Sequence, residues 1–263
     1  MLQYVRQLIV GAKVSLELTI ADLSPWILLG VDIPRALFQA LFFILMAKAA
    51  GGDSQARFAL IGNAIMVAVH IALVFMASVI ESEKWTGTLL YWIASPSKWL
   101  PTMLGRSAAD FGRALFDTLI IFAVFTPLIF PDISVLNLLR AIPIILLTLA
   151  SASTIGWLIG SVALPTRWGT MFANVAAYAM MILCGINFPV TALPPVIQTI
   201  SRLLPVTNGL LATRAIIAGA TYGSVLTLLG KELLIGIVFG TIAWLAFGYR
   251  LNVLRQGGNL EMV

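Results

Sequence analysis

Apolar residues run through this chain in blocks of roughly twenty, the length a helix needs to cross about 30 Å of hydrocarbon, and short polar or proline-rich breaks separate the blocks. The pattern predicts spanning helices over 33–50, 58–80, 103–130, 135–162, 168–188 and 232–249. Each boundary has a chemical reason. Asp32-Ile33-Pro34 places proline in a first helical turn. Gly51-Gly52-Asp53-Ser54 ends the first block, Pro131-Asp132 the third, and Leu164-Pro165-Thr166-Arg167 the fourth.

Two segments fit neither a span nor a solvated loop. In residues 1–23, Leu2, Val5, Leu8, Ile9, Ala12, Leu16 and Ile20 recur at near-helical spacing with Gln3, Arg6, Lys13 and Glu17 between them. That is an amphipathic helix suited to lying in the headgroup plane. Lys13 and Glu17 also break what would be the apolar core of a cleaved leader, so the N-terminus is expected to be kept. Residues 189–231 are apolar but broken by Pro194, Pro195, Pro205, Gly209, Gly219 and Gly223. Short helices dipping into the outer interface satisfy both facts. The expected fold is therefore one all-α integral membrane domain over 1–263, with six transmembrane helices, an N-terminal interfacial helix and a re-entrant outer segment between spans five and six.

Composition excludes the soluble alternative. Hydrophobic residues make up 60% of 263 positions, charged residues 10%, and the mean hydropathy is +1.00, too little polar material to cover a globule in water. With the N-terminus inside, the cytoplasmic segments hold Arg6, Lys13, Arg35, Lys84, Lys98, Arg106, Arg113, Arg167, Arg250 and Arg255, and the outer ones hold Lys48, Arg57, Arg140, Arg202, Arg214 and Lys231. That bias puts both termini in the cytoplasm of a bacterial-type inner membrane. The net charge of +5 belongs to these bilayer-facing loops, not to a nucleic-acid footprint. The single Cys184 sits in an apolar block as a small buried side chain.

The stretch 81–106 carries the most specific signal. It holds Glu81, then Glu83-Lys84, Gly87-Thr88-Leu89, Ser95-Pro96 and, further on, Gly105-Arg106. Downstream come Gly185-Ile186-Asn187-Phe188-Pro189, Leu193-Pro194, and Leu204-Pro205-Val206-Thr207 with Arg214 following. These two sets, in this order, resemble the cytoplasmic coupling loop and the end of the fifth helix of ABC-2-type exporter permeases, with a type V exporter-like fold. Where that family often has a charged pair after Gly-Thr-Leu, this chain has Leu90 and Tyr91. The resemblance implies ATPase coupling through Glu81, Glu83, Lys84, Gly87, Thr88, Leu89 and Pro96. It also implies a second permease subunit, identical or homologous, and two nucleotide-binding subunits that hold ATP and Mg. A short loop helix bearing those charges suits a groove on a soluble partner, with Gly87 permitting close backbone approach and Thr88 capping the next turn. An ordinary solvated loop is the plainer alternative. No G-x-x-x-x-G-K-[ST] run occurs, so the chain has no phosphate loop and is not itself the ATPase.

Polar residues inside the blocks are the remaining candidates. Asn174, Tyr178 and Asn187 on the fifth helix, with the adjoining Phe188, and His70 in the second are candidate substrate contacts, since polar groups in a bilayer face the bundle interior. For His70, satisfaction by a neighbouring helix is the competing reading. Asp110, Arg113 and Asp117 share one face of the third helix. Gly156-x-x-x-Gly160 and Gly236-x-x-x-Gly240 permit close helix contact, within one subunit or between two. The expected function is export of a drug, lipid, glycan or hydrophobic peptide driven by separate ATPase subunits. An ion-gradient-driven secondary transporter is the rival, and it predicts inverted repeats and several intramembrane carboxylates. A membrane enzyme would need clustered catalytic groups. The sequence shows no repeat and one histidine.

Overall fold

The second and first apolar blocks belong to one helical stretch that folds back on itself. A computed structural model describes residues 2–22, 24–85, 87, 99–164, 166 and 168–257. Among them the elements are α1 (Leu2–Asp22), α2 (Ile33–Trp85), α3 (Trp99–Ile129), α4 (Val135–Ala163), α5 (Gly169–Leu183), α6 (Pro195–Leu203), α7 (Thr207–Ile217) and α8 (Tyr222–Gly257), with no strand. One turn at Pro25–Ile27 and a π-helical turn at Leu28–Asp32 lead into α2. Within α2 the backbone leaves helical geometry only at Gly51 and Gly52, and Gly52 has φ 73° and ψ −160°. That conformation is open to glycine alone without strain. Arg35 nevertheless acts electrostatically on His70. In a straight helix those residues would stand roughly 50 Å apart, so the limbs on either side of the glycines run antiparallel.

Four stretches are long and apolar enough to cross a membrane: Leu28–Val79, Asp110–Ile129, Val135–Ala163 and Tyr222–Val253, with Gly169–Leu183 as a shorter apolar helix. The chain is thus an α-helical membrane protein, and its core follows the packing logic of lipid, where small residues let backbones approach. Ala56, Leu60, Ala64, Ala68 and Ala72, one helical turn apart on the second limb of α2, are all fully buried. A Cβ on Gly156 of α4 would come within 2.3 Å of the Leu73 carbonyl oxygen. Gly236 and Gly240 of α8 lie against Ser151 and Thr154 of α4. Packing inside one chain accounts for both glycine pairs.

Helix α1 crosses the start of α3 by a reciprocal glycine contact. A Cβ on Gly11 would meet the Thr102 carbonyl oxygen at 2.6 Å, and one on Gly105 would meet that of Leu8 at 2.2 Å. Its larger apolar side chains, among them Val5, Leu8, Ile9 and Val10, are exposed, as an interfacial helix requires.

The segment between α5 and α8 enters the bundle. Gly209, at the start of α7, packs against Thr148 of α4, while Asn137, in the first turn of α4, donates to the carbonyl of Ile217 at the other end of α7. Thr148 stands about 16 Å along the α4 axis from Asn137, so α7 begins deep and ends at the rim. Helix α8 starts at Tyr222 rather than near Glu232, so Gly223, expected to break the apolar segment, lies inside the helix.

Candidate coupling and permeation site

Helix α5 begins without a cap of its own. Trp168 at its N-cap makes no side-chain capping bond, which leaves first-turn N–H groups in need of acceptors. Glu81, in the last turns of α2, supplies one. Its Oε2 accepts from the Thr170 backbone N–H at 2.9 Å and from the Thr170 hydroxyl at 2.6 Å. A carboxylate at a helix N-terminus also meets the positive end of the helix dipole. Small residues, Gly160, Ala163 and Gly169, line the space around it. The half-buried Glu81 therefore joins the C-terminal end of α2 to the start of α5. Of the other expected coupling residues, Glu83 and Lys84 fall in the last turn of α2. Gly87 is exposed with φ 72°, a conformation that favours glycine. Thr88, Leu89 and Pro96 lie outside the described residues.

The expected pathway residues fall into two groups. Midway along the bundle, the His70 and Tyr178 rings meet edge to face with centroids 6.1 Å apart. Asn174 donates to the Thr170 carbonyl at 2.8 Å, and its side chain also stands beside His70. Tyr178 is 58% exposed, so this group opens to the outside of the single chain rather than into its core. Toward the end of the bundle where α5 finishes, Asn187 accepts from the Asn63 amide at 2.8 Å, and Asn63 also donates to the Ala59 carbonyl. Asn187 and Phe188 line a cleft of about 340 Å³ with Phe43, Met46 and Gln55. The first group and the second share the interface of α2 with α5.

Two further charged residues organise the segment that follows α5. Arg214 of α7 donates to the carbonyls of Gly185 at 2.8 Å, Ile186 at 2.9 Å and Phe58 at 3.2 Å. Its guanidinium sits 3.4 Å above the Phe58 ring, a cation–π contact. Burial pulls that guanidinium down to about 9. A Cβ on Gly62 would fall 2.0 Å from the Ile186 carbonyl oxygen, so α2 must offer glycine there for α5 to close.

Glu232 of α8 is fully buried. It accepts from the backbone N–H of Val206 at 2.7 Å and of Gly209 at 3.1 Å, capping α7 where Val206 itself offers no side-chain bond. Val206 has φ 84°, a strained value for a β-branched residue. Sequence reasoning placed Glu232 only as a span boundary. The available signal was a lone carboxylate in an apolar block, which must find partners inside the protein.

Among the described residues, no group of three or more His, Cys, Asp or Glu side chains gathers to hold a metal ion. No curated protein matches the chain. The family model for the ABC-2 type transporter matches residues 25–218, from the turn before α2 to the end of α7. That match spans the residues expected for coupling and for the pathway alike. The chain accordingly belongs to the ABC-2 type transporter family, as a multi-pass membrane permease of the kind that pairs with a separate ATP-binding subunit.

Proposed function

We infer that the chain is the membrane subunit of an ATP-driven exporter. Two permeases, identical or homologous, assemble with two ATP-binding subunits that carry ATP and Mg. The complex sits in a bacterial-type cytoplasmic membrane with both termini inside. The two limbs of α2 with α3, α4, α5 and α8 make six crossings, and α6 and α7 dip in from the outer face. Residues 81–106 dock on the ATPase, and the cargo is a drug, lipid, glycan or hydrophobic peptide.

The bond from Glu81 to Thr170 carries this reading. Closure of the ATPases displaces the loop after α2. Because the carboxylate that ends α2 is also the cap of α5, the displacement reaches both helices at once. Those two helices bear His70, Tyr178, Asn174 and Asn63, whose partner Asn187 follows α5, so their relative movement opens or closes the polar face between them. Thr170 hydrogen-bonds to a charged acceptor, the stronger class of hydrogen bond, which suits a joint that transmits load.

The test is assembly and hydrolysis in lipid nanodiscs with the ATP-binding subunit. Wild type should co-purify with it and hydrolyse ATP. Glu83→Lys should insert normally yet lose the partner or uncouple its ATPase. Glu81→Gln should keep the partner and blunt the response. Normal assembly and coupled hydrolysis in Glu83→Lys would refute the docking assignment. Proton or sodium flux by the purified chain alone, followed with a pH- or sodium-sensitive dye, would favour the gradient-driven rival instead.

A further inference from the structure

Asp117 on α3 is 1% exposed, and among the described residues neither of its carboxylate oxygens has a hydrogen-bond partner. Such a group in a native fold calls for an explanation. One helical turn before it on the same helix stands Arg113, which donates instead to Asp32 in the π-helical turn ahead of α2. The Arg113 Nε has no partner either. Arg113, Arg35 and Asp32 all act electrostatically on Asp117, so the four charges form one cluster. Residues four apart on a helix are natural ion-pair partners. Side chains in helices also lean toward the N-terminus, which carries Asp117 toward Arg113.

We propose that Arg113 is a two-position switch: bonded to Asp32 it docks the turn Leu28–Asp32 on α3, and bonded to Asp117 it releases that turn. The exchange requires only a new rotamer of Arg113. The α3 backbone beside it is fixed, since the Thr118 hydroxyl donates to the carbonyls of Ala64 and Ala114. The moving part is the π-helical turn, an element that often marks a functional site in a helix. Arg35, three residues after Asp32, stands in the first turn of α2, which stays packed through the buried Ala36 and Ala40. Arg113 is the base on the helix of Asp117 itself, one turn away. In the docked state one carboxylate is satisfied and the other is not, and in the released state the roles reverse. Two nearly balanced arrangements of the same charges make a bistable element that a ligand or partner can bias. The purified chain alone carries the test, so the switch stands or falls separately from the exporter reading.

The experiment is a spin-label distance measurement in nanodiscs. Labels go on Leu29→Cys, in the turn, and Phe116→Cys, on α3, in a Cys184→Ser background; Leu29 and Phe116 are both exposed. Wild type should give two distance populations. Asp117→Asn removes the charged acceptor and should lower the released fraction at least about tenfold, the equivalent of one charge-assisted hydrogen bond. Asp32→Asn should leave the released population alone. Asp117→Glu, which keeps the acceptor, should keep both, and it serves as the folding-safe counterpart if Asp32→Asn does not insert. Identical distributions in wild type, Asp117→Asn and Asp117→Glu would overturn the switch and leave Asp117 as a static buried group.

Discussion

Glu232→Ala tests the architecture of the outer segment most directly. It deletes both acceptors of the Val206 and Gly209 N–H groups, at a site from which water is excluded. Each orphaned buried donor costs about 1–3 kcal/mol, so the pair together is worth roughly 3 kcal/mol or more. The bond to Val206 also holds a β-branched residue at φ 84°, and strain of this kind stores about 1–3 kcal/mol that opening releases. The chain carries its own reporter. Cys184 is its one cysteine, is 1% exposed, and its Sγ lies 3.5 Å from the Pro205 carbonyl, next to the strained residue. A thiol-reactive dye can reach it only when the outer segment lifts.

With about 1.4 kcal/mol per factor of ten, Glu232→Ala should label Cys184 more than a hundredfold faster than wild type. Glu232→Gln keeps one acceptor oxygen and loses one bond, and it should label about tenfold faster. Val206→Gly, which removes the strain while keeping the N–H, should label more slowly than wild type. Glu232→Ala labelling at the wild-type rate would refute the reasoning, because the carboxylate would then not be what holds α7 down.

Two further outcomes follow from local geometry. At Gly52, φ is 73° and nothing lies within 4 Å of a would-be Cβ, so Gly52→Ala should cost about 1–3 kcal/mol through backbone strain alone; Gly230→Ala, equally open but helical, should stabilise by up to about 1 kcal/mol, and thermal midpoints in detergent should move in opposite directions. At the outer rim, Arg57 donates to Asp132 and holds its carboxyl below the usual carboxylate range. A depressed carboxyl contributes stability above its unfolded value and loses it as pH falls through the folded one. The small difference in midpoint between wild type and Asp132→Asn should stay flat from about pH 8 to 5 and fade only in stronger acid.

The long apolar helices were legible because lipid imposes a length on apolar blocks, and Gly51-Gly52-Asp53-Ser54, expected to end the first block, is where α2 folds back. The start of α8 was not legible. Gly223 read as a breaker, yet α8 docks on α4 through Gly236 and Gly240, and tertiary packing overrides a weak local propensity. Asn187 could be picked out as a polar group near the end of an apolar block, but its partner Asn63 lies 124 residues away. Glu81 stood out for its place in a loop motif. Its bond to Thr170, 89 residues on, leaves no periodic trace in either segment.

Glu81 and Glu232 answer the same physical demand. A helix whose first turn is packed against protein has little water for its first N–H groups, and neither α5 nor α7 caps itself with a side chain. Each takes a carboxylate from a helix distant in sequence, so the position of α5 is tied to α2 and that of α7 to α8. Arg214 closes the chain of links by binding the carbonyls that end α5 and the Phe58 carbonyl of α2. In the proposed cycle, a displacement admitted at Glu81 therefore travels along α2 and α5 to Arg214. There it must either carry α7 along, against the hold of Glu232, or break three carbonyl bonds to one guanidinium. The first course opens the outer face with α8 as the fixed post, which gives the buried carboxylate of α8 a mechanical role as well as a capping one.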